Sequence, residues 1–323
     1  MTHDLPDGRL FIGGEWETGT GAEITSIYPA DGSVNRVLKG ASRADGERAI
    51  ERALAAQADP AWRGLKPHER ARYLARIADG IEANAARIAF IQTRDTGKTL
   101  RETGALVASA AATFRYFAAA LETLDDDLTT PRGDYLTMSV HEPLGLVAAI
   151  TPWNSPIASD AQKVAPALAA GNAVLLKPAS WSPLVSLELA RIVEEAGLPK
   201  GLFSVLPGAG REIGNLLVEH PAIKRVSFTG GTSTGRTLAK QAAEKLFLTQ
   251  PAISKTLKEL EEIAGASLMT RSRSGVALTK EGEVFLHFAQ MSLASLQQGL
   301  EGVEREARAE KVRLVIGALP SVA

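Results

Sequence analysis

The most constraining feature of this sequence is an alternation of strand-like and helix-like segments, repeated four times between residues 146 and 245. The apolar runs that predict buried strands are Leu146 to Ile150, Ala173 to Leu176, Leu202 to Leu206 and Val226 to Phe228. The segments with helical periodicity are Ser159 to Ala170, Pro183 to Ala196, Arg211 to Glu219 and Thr234 to Lys245. Because parallel strands are usually joined by crossover helices, this alternation predicts a doubly wound α/β sheet.

The part of the chain before these repeats has a different character. From about Asp45 to Leu124 it is rich in alanine, arginine and glutamate at helical spacing, which predicts a helical layer. The segment from Tyr135 to Pro143 alternates in the manner of a half-buried strand. We therefore expect several helices and one additional strand before the α/β unit.

The residues that follow the four predicted strands have the chemistry of a ligand site. In doubly wound sheets, ligands bind at the carboxyl ends of the strands. The four segments are Thr151 to Asn154, Lys177 to Ser180, Pro207 to Gly210 and Thr229 to Thr232. Glycine allows close approach of a pyrophosphate, helix N-termini supply amide donors, and Lys177 can bind ribose hydroxyls or a phosphate. Taken singly, such glycines only form turns and Lys177 is a surface lysine, but four segments at one sheet edge favour a dinucleotide site.

Motifs at these positions resemble those of the aldehyde dehydrogenase family. They are, in order, TPWNSP, GNAVLLKPAS, LPGAGREIG and VSFTGGTSTG. The similarity extends from about Leu10 to Leu246 and includes FIGGEW, expected to form a hairpin, and the helix end DTGKTL at Asp95 to Leu100. The resemblance implies a truncated doubly wound domain that binds NAD or NADP, and an activity on aldehydes.

The same resemblance implies roles for individual residues. The implied cofactor residues are Thr151, Pro152, Trp153, Asn154, Lys177, Ser180, Gly208, Gly230 and Gly231. In the family, the first segment lies beside the nicotinamide, and the position matching Asn154 also stabilises the oxyanion formed from the aldehyde. The positions matching Lys177 and Ser180 contact the adenosine ribose. Ser180 replaces a glutamate of many NAD-preferring relatives, so NADP is compatible, while Gly231 replaces a common serine near the phosphates.

The complete absence of cysteine opposes catalysis. In the family, the helix matching Thr234 to Lys245 leads to a Glu-Leu-Gly-Gly motif with the general base, and then to the nucleophilic cysteine; this sequence has neither. Acyl transfer from an aldehyde requires such an activated nucleophile. We therefore expect weak NAD or NADP binding at best and no oxidation, with Asn154 as a vestigial oxyanion residue. An active aldehyde oxidoreductase is the alternative.

After Leu246 the chain resembles the DNA-binding region of LysR-type transcriptional regulators. Thr249 can cap a helix that has Pro251 in its first turn, and two short strands around Ser274 and Gly275 predict a wing. Such a helix fits a major groove, with wing arginines on the phosphates. The predicted DNA-binding residues are Thr249, Gln250, Ser254, Lys255, Arg271 and Arg273.

A heptad pattern follows from Leu286 to Val303 and predicts a long coiled-coil linker helix through which two copies associate. Packing of this stripe onto the chain's own body is the alternative. Residues 312–320 resemble the first strand of the regulators' effector domain, and we expect no inducer pocket. The predicted domains are 1–246 for the incomplete cofactor-binding region, 237–279 for the helix-turn-helix and wing, 280–310 for the linker helix and 311–323 for the last strand.

The two resemblances meet in one helix, Thr237 to Leu246. It matches both the last dehydrogenase helix and the helix before the recognition helix of the regulators, whose first helix is replaced by the glycine-rich FTGGTSTG. Three hypotheses remain: an aldehyde oxidoreductase, a dimeric DNA-binding regulator, and a hybrid that lacks both full activities. We favour the third hypothesis. A gene fusion, a rearrangement or a sequence-assembly error can produce such a hybrid.

Several other functions are disfavoured. Gly97-Lys98-Thr99 ends like a phosphate-binding P-loop, but Gln92 stands where that motif requires glycine. The five histidines show no ligand spacing, so no metal site is expected. The net charge of −1 gives no general affinity for nucleic acid. No basic leader and no run of about 20 apolar residues is present, so we expect a cytoplasmic protein without a membrane partner.

Overall fold

The structure is a computed structural model that describes residues 3–126, 128, 137–245, 265–272, 275–286, 288 and 291. Side chains are described for these residues except 242–245, 269–272 and 275–278. The chain divides into two compact units, Met1–Phe247 and Leu248–Ala323.

The first part of the larger unit consists of two hairpins and five helices. Their bounds are β1 Leu10–Ile12, β2 Glu15–Glu17, β3 Glu23–Ile27, β4 Val34–Lys39, α1 Arg43–Ala58, α2 Pro60–Arg63, α3 Pro67–Ala83, α4 Ala85–Thr96 and α5 Leu100–Glu122. The FIGGEW hairpin is confirmed, because Phe11 of β1 lies opposite Trp16 of β2. The β3–β4 hairpin was not predicted from the sequence. Gly97 ends α4 in the left-handed conformation and Thr99 caps α5, so the P-loop-like segment joins two helices.

The second part has the predicted alternation of strands and helices. Its elements are β5 Leu146–Ile150, α6 Pro156–Ala169, β6 Ala173–Lys177, α7 Leu184–Glu195, β7 Phe203–Val205, a π-helical turn Gly210–Gly214, α8 Asn215–Glu219, β8 Ile223–Phe228 and α9 Thr232–Lys245. The predicted helix Arg211 to Glu219 is divided between the π-helical turn and α8, whereas the other three predicted helices are each a single helix with slightly different bounds.

These strands form one sheet with the order β2-β1-β7-β6-β5-β8. Strands β7, β6, β5 and β8 are parallel, and β1 pairs antiparallel with both β2 and β7. The chain leaves β5 towards β6 and β7, and then crosses back to add β8 on the other side of β5. The doubly wound α/β fold is therefore confirmed, with a switch in strand order between β5 and β8.

The prediction of a strand from Tyr135 to Pro143 is wrong for residues 137–143, the part of this segment that the structure describes. Residues 129–136 lie outside the described residues, and among the described residues 137–143 belong to no strand, with an isolated antiparallel bridge between Met138 and Leu128. Met138 and Val140 are both more than half exposed, so the alternating pattern has no core to face.

Both faces of the sheet are covered by apolar side chains. On one face α3, α5, α6 and α7 contribute residues such as Ile77 and Phe114, which are fully buried. On the other face α1 and α8 contribute Ile50 and Leu216. Burial on both faces explains why β5 and β6 are continuous apolar runs rather than alternating ones.

Helix α5 is long and apolar enough, by length and composition alone, to cross a membrane. Its buried residues Val107, Ala110, Ala111 and Phe114 belong to the core that α3 and α6 share. This packing accounts for the buried apolar stripe of the helix.

The smaller unit contains the predicted wing. Strands β9 Met269–Ser272 and β10 Gly275–Leu278 pair antiparallel, with Ser272 opposite Gly275 and Arg271 opposite Val276. A helix begins at residue 280, and residues 280–286, 288 and 291 are helical. Most of the predicted heptad, like the recognition helix, lies outside the described residues.

Candidate functional site

The four loops singled out from the sequence lie at one edge of the sheet, because each follows the carboxyl end of one of four adjacent parallel strands. Pairing continues beyond the strands, since Thr151 N donates to Lys177 O at 3.2 Å and Thr229 N donates to Ile150 O at 3.0 Å. The first and last loops therefore flank the change of strand order, where doubly wound folds bind their ligands.

A cleft of about 410 Å³ opens at this edge. It is lined by Ile150, Lys177, Gly210, Arg211, Gly214, Asn215, Ser233, Thr234, Thr237 and Leu238. Lys177 is the one predicted site residue among them. The others come from the end of β5, the π-helical turn, the start of α8 and the first turns of α9. Most of these positions were predicted only as parts of helices. The start of α9 adds free backbone N–H groups and the positive end of the helix dipole.

Lys177 is the central polar group of this cleft. Its side chain is only 6% exposed, and Nζ donates to the neighbouring Pro178 O at 3.2 Å. None of the described carboxylates forms an ion pair with it. Burial lowers the pKa of Lys177 to about 8. Gly214 lies beside the lysine stem, and a Cβ there would make ordinary van der Waals contact with Lys177 Cε at 3.9 Å and Cδ at 4.0 Å.

Lys163 is a second lysine at this edge, and sequence analysis missed it. From α6 its Nζ donates to Thr229 Oγ1 at 2.7 Å, which connects α6 to the end of β8. Burial lowers the pKa of Lys163, while the nearby charge of Asp160 opposes the shift. Asp160 is fully buried and accepts from Ser186 Oγ at 2.6 Å; burial raises the pKa of its carboxyl to about 6.

Hydroxyl groups connect the neighbouring loops. Ser180 Oγ donates to Gly208 O at 3.2 Å, and Ser182 Oγ donates to Trp153 O at 3.3 Å. The Ser180 hydroxyl therefore joins two loops by a hydrogen bond, in addition to its predicted role in cofactor binding. Asn154 is exposed, and Thr151 is buried at the end of β5.

A larger groove of about 1010 Å³ lies beside the cleft. Its predicted site residues are Trp153 and Ser180, and the β3–β4 hairpin contributes apolar residues including Ile24 and Ile27. Trp153 is 58% exposed and Trp181 is 81% exposed, so the groove presents aromatic surface to solvent.

The three predicted glycines differ in what surrounds them. At Gly208 a Cβ would lie 2.7 Å from Ile213 Cγ1, and at Gly230 it would lie 2.6 Å from the Phe228 ring, so a larger residue would clash at both positions. At Gly231 no atom lies within 4 Å of an added Cβ. Space alone would therefore permit a serine at Gly231.

Asp95 supports the site from outside the loops, a role that the sequence did not reveal. Its Oδ2 accepts from the backbone N–H groups of Leu184 at 2.7 Å and Val185 at 3.1 Å, at the start of α7. Its Oδ1 accepts from Ser26 Oγ at 2.8 Å. This buried carboxyl connects β3, α4 and α7, and burial raises its pKa to about 7 despite the three donors.

The predicted DNA-binding residues are only partly within the described structure. Arg271 lies in β9, where the backbone alone is described. The others, Thr249, Gln250, Ser254, Lys255 and Arg273, lie outside the described residues. No group of three or more metal-ligating side chains is found among the residues with described positions.

Two family models match the chain. The model of bacterial regulatory helix-turn-helix proteins of the lysR family matches residues 239–283, and the model of the aldehyde dehydrogenase family matches residues 16–254. The two matches overlap at 239–254, which begins within α9. The chain thus combines sequences of both families, as predicted.

Individual proteins match the larger unit. A (Z)-2-((N-methylformamido)methylene)-5-hydroxybutyrolactone dehydrogenase from Acinetobacter baylyi is 38% identical over 239 residues, which are 74% of this chain and 49% of that protein. An indole-3-acetaldehyde dehydrogenase from P. syringae, solved in complex with NAD+, is 34% identical with a TM-score of 0.74, over 77% of this chain and 50% of that one.

A betaine aldehyde dehydrogenase from Staphylococcus aureus, also in complex with NAD+, is 33% identical with a TM-score of 0.72, over 76% of this chain and 49% of that one. The chain therefore spans about half the length of the relatives that it matches. Because the family model covers most of the chain and solved relatives share its fold, the chain belongs to the aldehyde dehydrogenase family.

Proposed function

We propose that this chain is a hybrid that keeps a weak NAD(P) site and a weak DNA-binding segment but does not oxidise aldehydes. The observation that carries the proposal is the absence of cysteine from all 323 residues of a chain with an aldehyde dehydrogenase domain. Without a thiolate and a paired base, the chain has no activated nucleophile to attack an aldehyde. The exposed Asn154 amide then has no oxyanion to stabilise.

Binding of NAD or NADP is supported by the cleft at the switch of strand order. Lys177 and Arg211 supply positive charge, Ser233 and Thr234 supply hydroxyls, and α9 presents its N-terminus. These groups fit the ribose and phosphates of a dinucleotide. We infer weak affinity for two reasons. The chain matches only about half the length of the relatives that were solved with NAD+, and Trp153 beside the cleft is exposed.

Aldehyde oxidation is the direct test. We expect no reduction of NAD or NADP above a heat-killed control with short aliphatic, aromatic and amino aldehydes. The variant Asn154→Ala should give the same rates as the wild type. Cofactor reduction that Asn154→Ala abolishes would show that a catalytic centre survives, and the hybrid proposal would then be wrong.

The cofactor site is tested by titration of Lys177→Met with NAD and NADP by calorimetry. We expect millimolar-range binding in the wild type and a loss of about tenfold or more in the variant, since a charge-assisted hydrogen bond is removed. Because the pKa of Lys177 is about 8, wild-type affinity should fall as the pH rises from 7 to 9, whereas Lys177→Met should show less dependence.

Lys200→Met is the matched control for this titration, because Lys200 is 74% exposed and pairs with Glu15 rather than lining the cleft. Its affinity should equal that of the wild type. Micromolar binding by the wild type would contradict the inferred weakness, and unchanged binding by Lys177→Met would contradict the placement of the cofactor.

DNA binding is supported by the lysR-family match at 239–283 and by the wing hairpin that carries Arg271. The glycine-rich segment FTGGTSTG, Phe228 to Gly235, stands where the regulators have their first helix, so we infer that the recognition helix lacks part of its scaffold. Phosphate contacts tolerate poor positioning better than base contacts do. We therefore propose weak, salt-dependent and largely sequence-independent binding, with pairing of two copies through 286–303.

A gel-shift series tests this proposal. The double variant Arg271→Ala with Arg273→Ala should weaken binding on every duplex, whereas lysine at both positions should retain most of it. Arg63→Ala with Arg101→Ala removes the same charge from the larger unit and should have little effect. One operator bound at least roughly a thousandfold more tightly than random duplex at physiological salt would instead favour a specific regulator.

A further inference from the structure

We propose that Lys177 forms a reversible imine with a phosphorylated aldehyde that occupies the cleft. This inference uses the cleft of the proposed cofactor site but does not require that NAD or NADP bind there. It follows from three features of the described residues: a buried amine without a carboxylate partner, an open volume in front of it, and phosphate-binding groups on the walls of the same cleft.

The amine of Lys177 is available for attack on a carbonyl. Its recorded hydrogen bond is the 3.2 Å contact to Pro178 O, and no described carboxylate pairs with it. Burial lowers the pKa of Lys177 to about 8, so the neutral form is present at a much higher fraction near neutral pH than for an ordinary lysine. Desolvation of a lysine in this way is a recognised route to an amine nucleophile.

The other walls of the cleft suit a phosphate. Arg211 supplies a guanidinium, and Ser233 and Thr234 supply hydroxyl donors. These two residues lie at the start of the 14-residue helix α9, whose first N–H groups lack helical partners. A volume of about 410 Å³ is within the range of small-molecule sites. The ligand class is thus a small aldehyde that carries a phosphate group.

The reaction requires no oxidant or reductant. The lone pair of Nζ attacks the carbonyl carbon, the carbonyl π electrons move to oxygen, and a proton passes from nitrogen to that oxygen to give a carbinolamine. Loss of water then forms the C=N bond, and the nitrogen of the resulting imine takes up a proton. Hydrolysis reverses these steps, so aldehyde and free lysine are regenerated without net change.

Pyridoxal 5′-phosphate is a suitable probe, because borohydride reduces its imine to a stable secondary amine that peptide mass spectrometry can locate. We expect sub-stoichiometric probe to label Lys177 preferentially in the full chain under native conditions. Pyridoxal, which lacks the phosphate, should label Lys177 at least about tenfold less, and inorganic phosphate should reduce labelling by the phosphorylated probe.

Three variants sharpen the test. Lys177→Arg keeps a cation but should lose the adduct, and Arg211→Ala should reduce the preference for the phosphorylated probe. Lys200→Met, at an exposed lysine outside the cleft, should leave labelling of Lys177 unchanged. The wild-type labelling map does not depend on how any variant folds. Labelling spread evenly over exposed lysines would overturn the proposal, and so would equal labelling of Lys177 by the two probes.

The result is separable from that of the cofactor titration. Preferential labelling of Lys177 with no detectable NAD or NADP binding would support the imine and contradict the cofactor site. Dinucleotide binding that is lost in Lys177→Met, together with no preferential labelling, would support the cofactor site and overturn the imine.

Discussion

Phe114→Ala is expected to lower the free energy of unfolding by about 3–5 kcal/mol, because removal of a buried ring leaves a cavity in addition to the lost burial. Phe114 is fully buried in the core between α5, α3 and α6. The measurement is urea unfolding followed by intrinsic tryptophan fluorescence.

The matched control for this prediction lies on the same helix. Tyr116 is 67% exposed, so Tyr116→Ala should change stability by less than about 1 kcal/mol. Equal small effects of the two substitutions would contradict the placement of the α5 apolar stripe in the core.

Asp95→Ala should lower the free energy of unfolding by about 2–4 kcal/mol. The substitution leaves the buried N–H groups of Leu184 and Val185, and the Ser26 hydroxyl, without their acceptor. Asp95→Asn keeps an acceptor oxygen at the start of α7 and should cost less. Denaturant unfolding of the wild type and the two variants at one pH measures these stabilities. If Asp95→Ala loses no more stability than Asp95→Asn, the inferred role of the carboxyl as an acceptor is wrong.

The same residue predicts a pH effect. Its folded pKa of about 7 lies above the ordinary value of 3.8. The contribution of Asp95 to stability is therefore fully present below about pH 4 and is lost as the pH rises through about 7. Asp95→Asn should remove this part of the pH dependence. If the two proteins follow the same pH profile, the carboxyl does not titrate as inferred.

The fold was predictable from sequence to the extent that local pattern reflects burial. Strands β5 and β6 are covered on both faces, and this appears in the sequence as continuous apolar runs at 146–150 and 173–176. Their alternation with helices fixed the parallel topology, and the topology brought the loops after four strands to one edge. The same logic failed at Met138 and Val140, where the sequence alternates but both side chains are more than half exposed in the described structure.

The candidate site divides in the same way. Lys177 could be singled out because it stands at the end of a recognisable strand, and it lines the cleft. Its role in binding, like the roles of Gly208, Gly230 and Gly231, stays a prediction. The sequence alone also determined the absence of cysteine, and hence the argument against catalysis. The absence of cysteine can be interpreted without knowledge of the fold, because no arrangement of the chain can supply a missing thiolate.

Only the tertiary structure decided which groups meet. Arg211 and Ser233 line the Lys177 cleft although they are separated from it by dozens of residues, and Asp95 reaches the start of α7 from the end of α4. Burial lowers the pKa of Lys177, and burial is a property of packing. Such long-range contacts leave no periodicity in the sequence, because they depend on where separate elements come together rather than on the pattern within one of them.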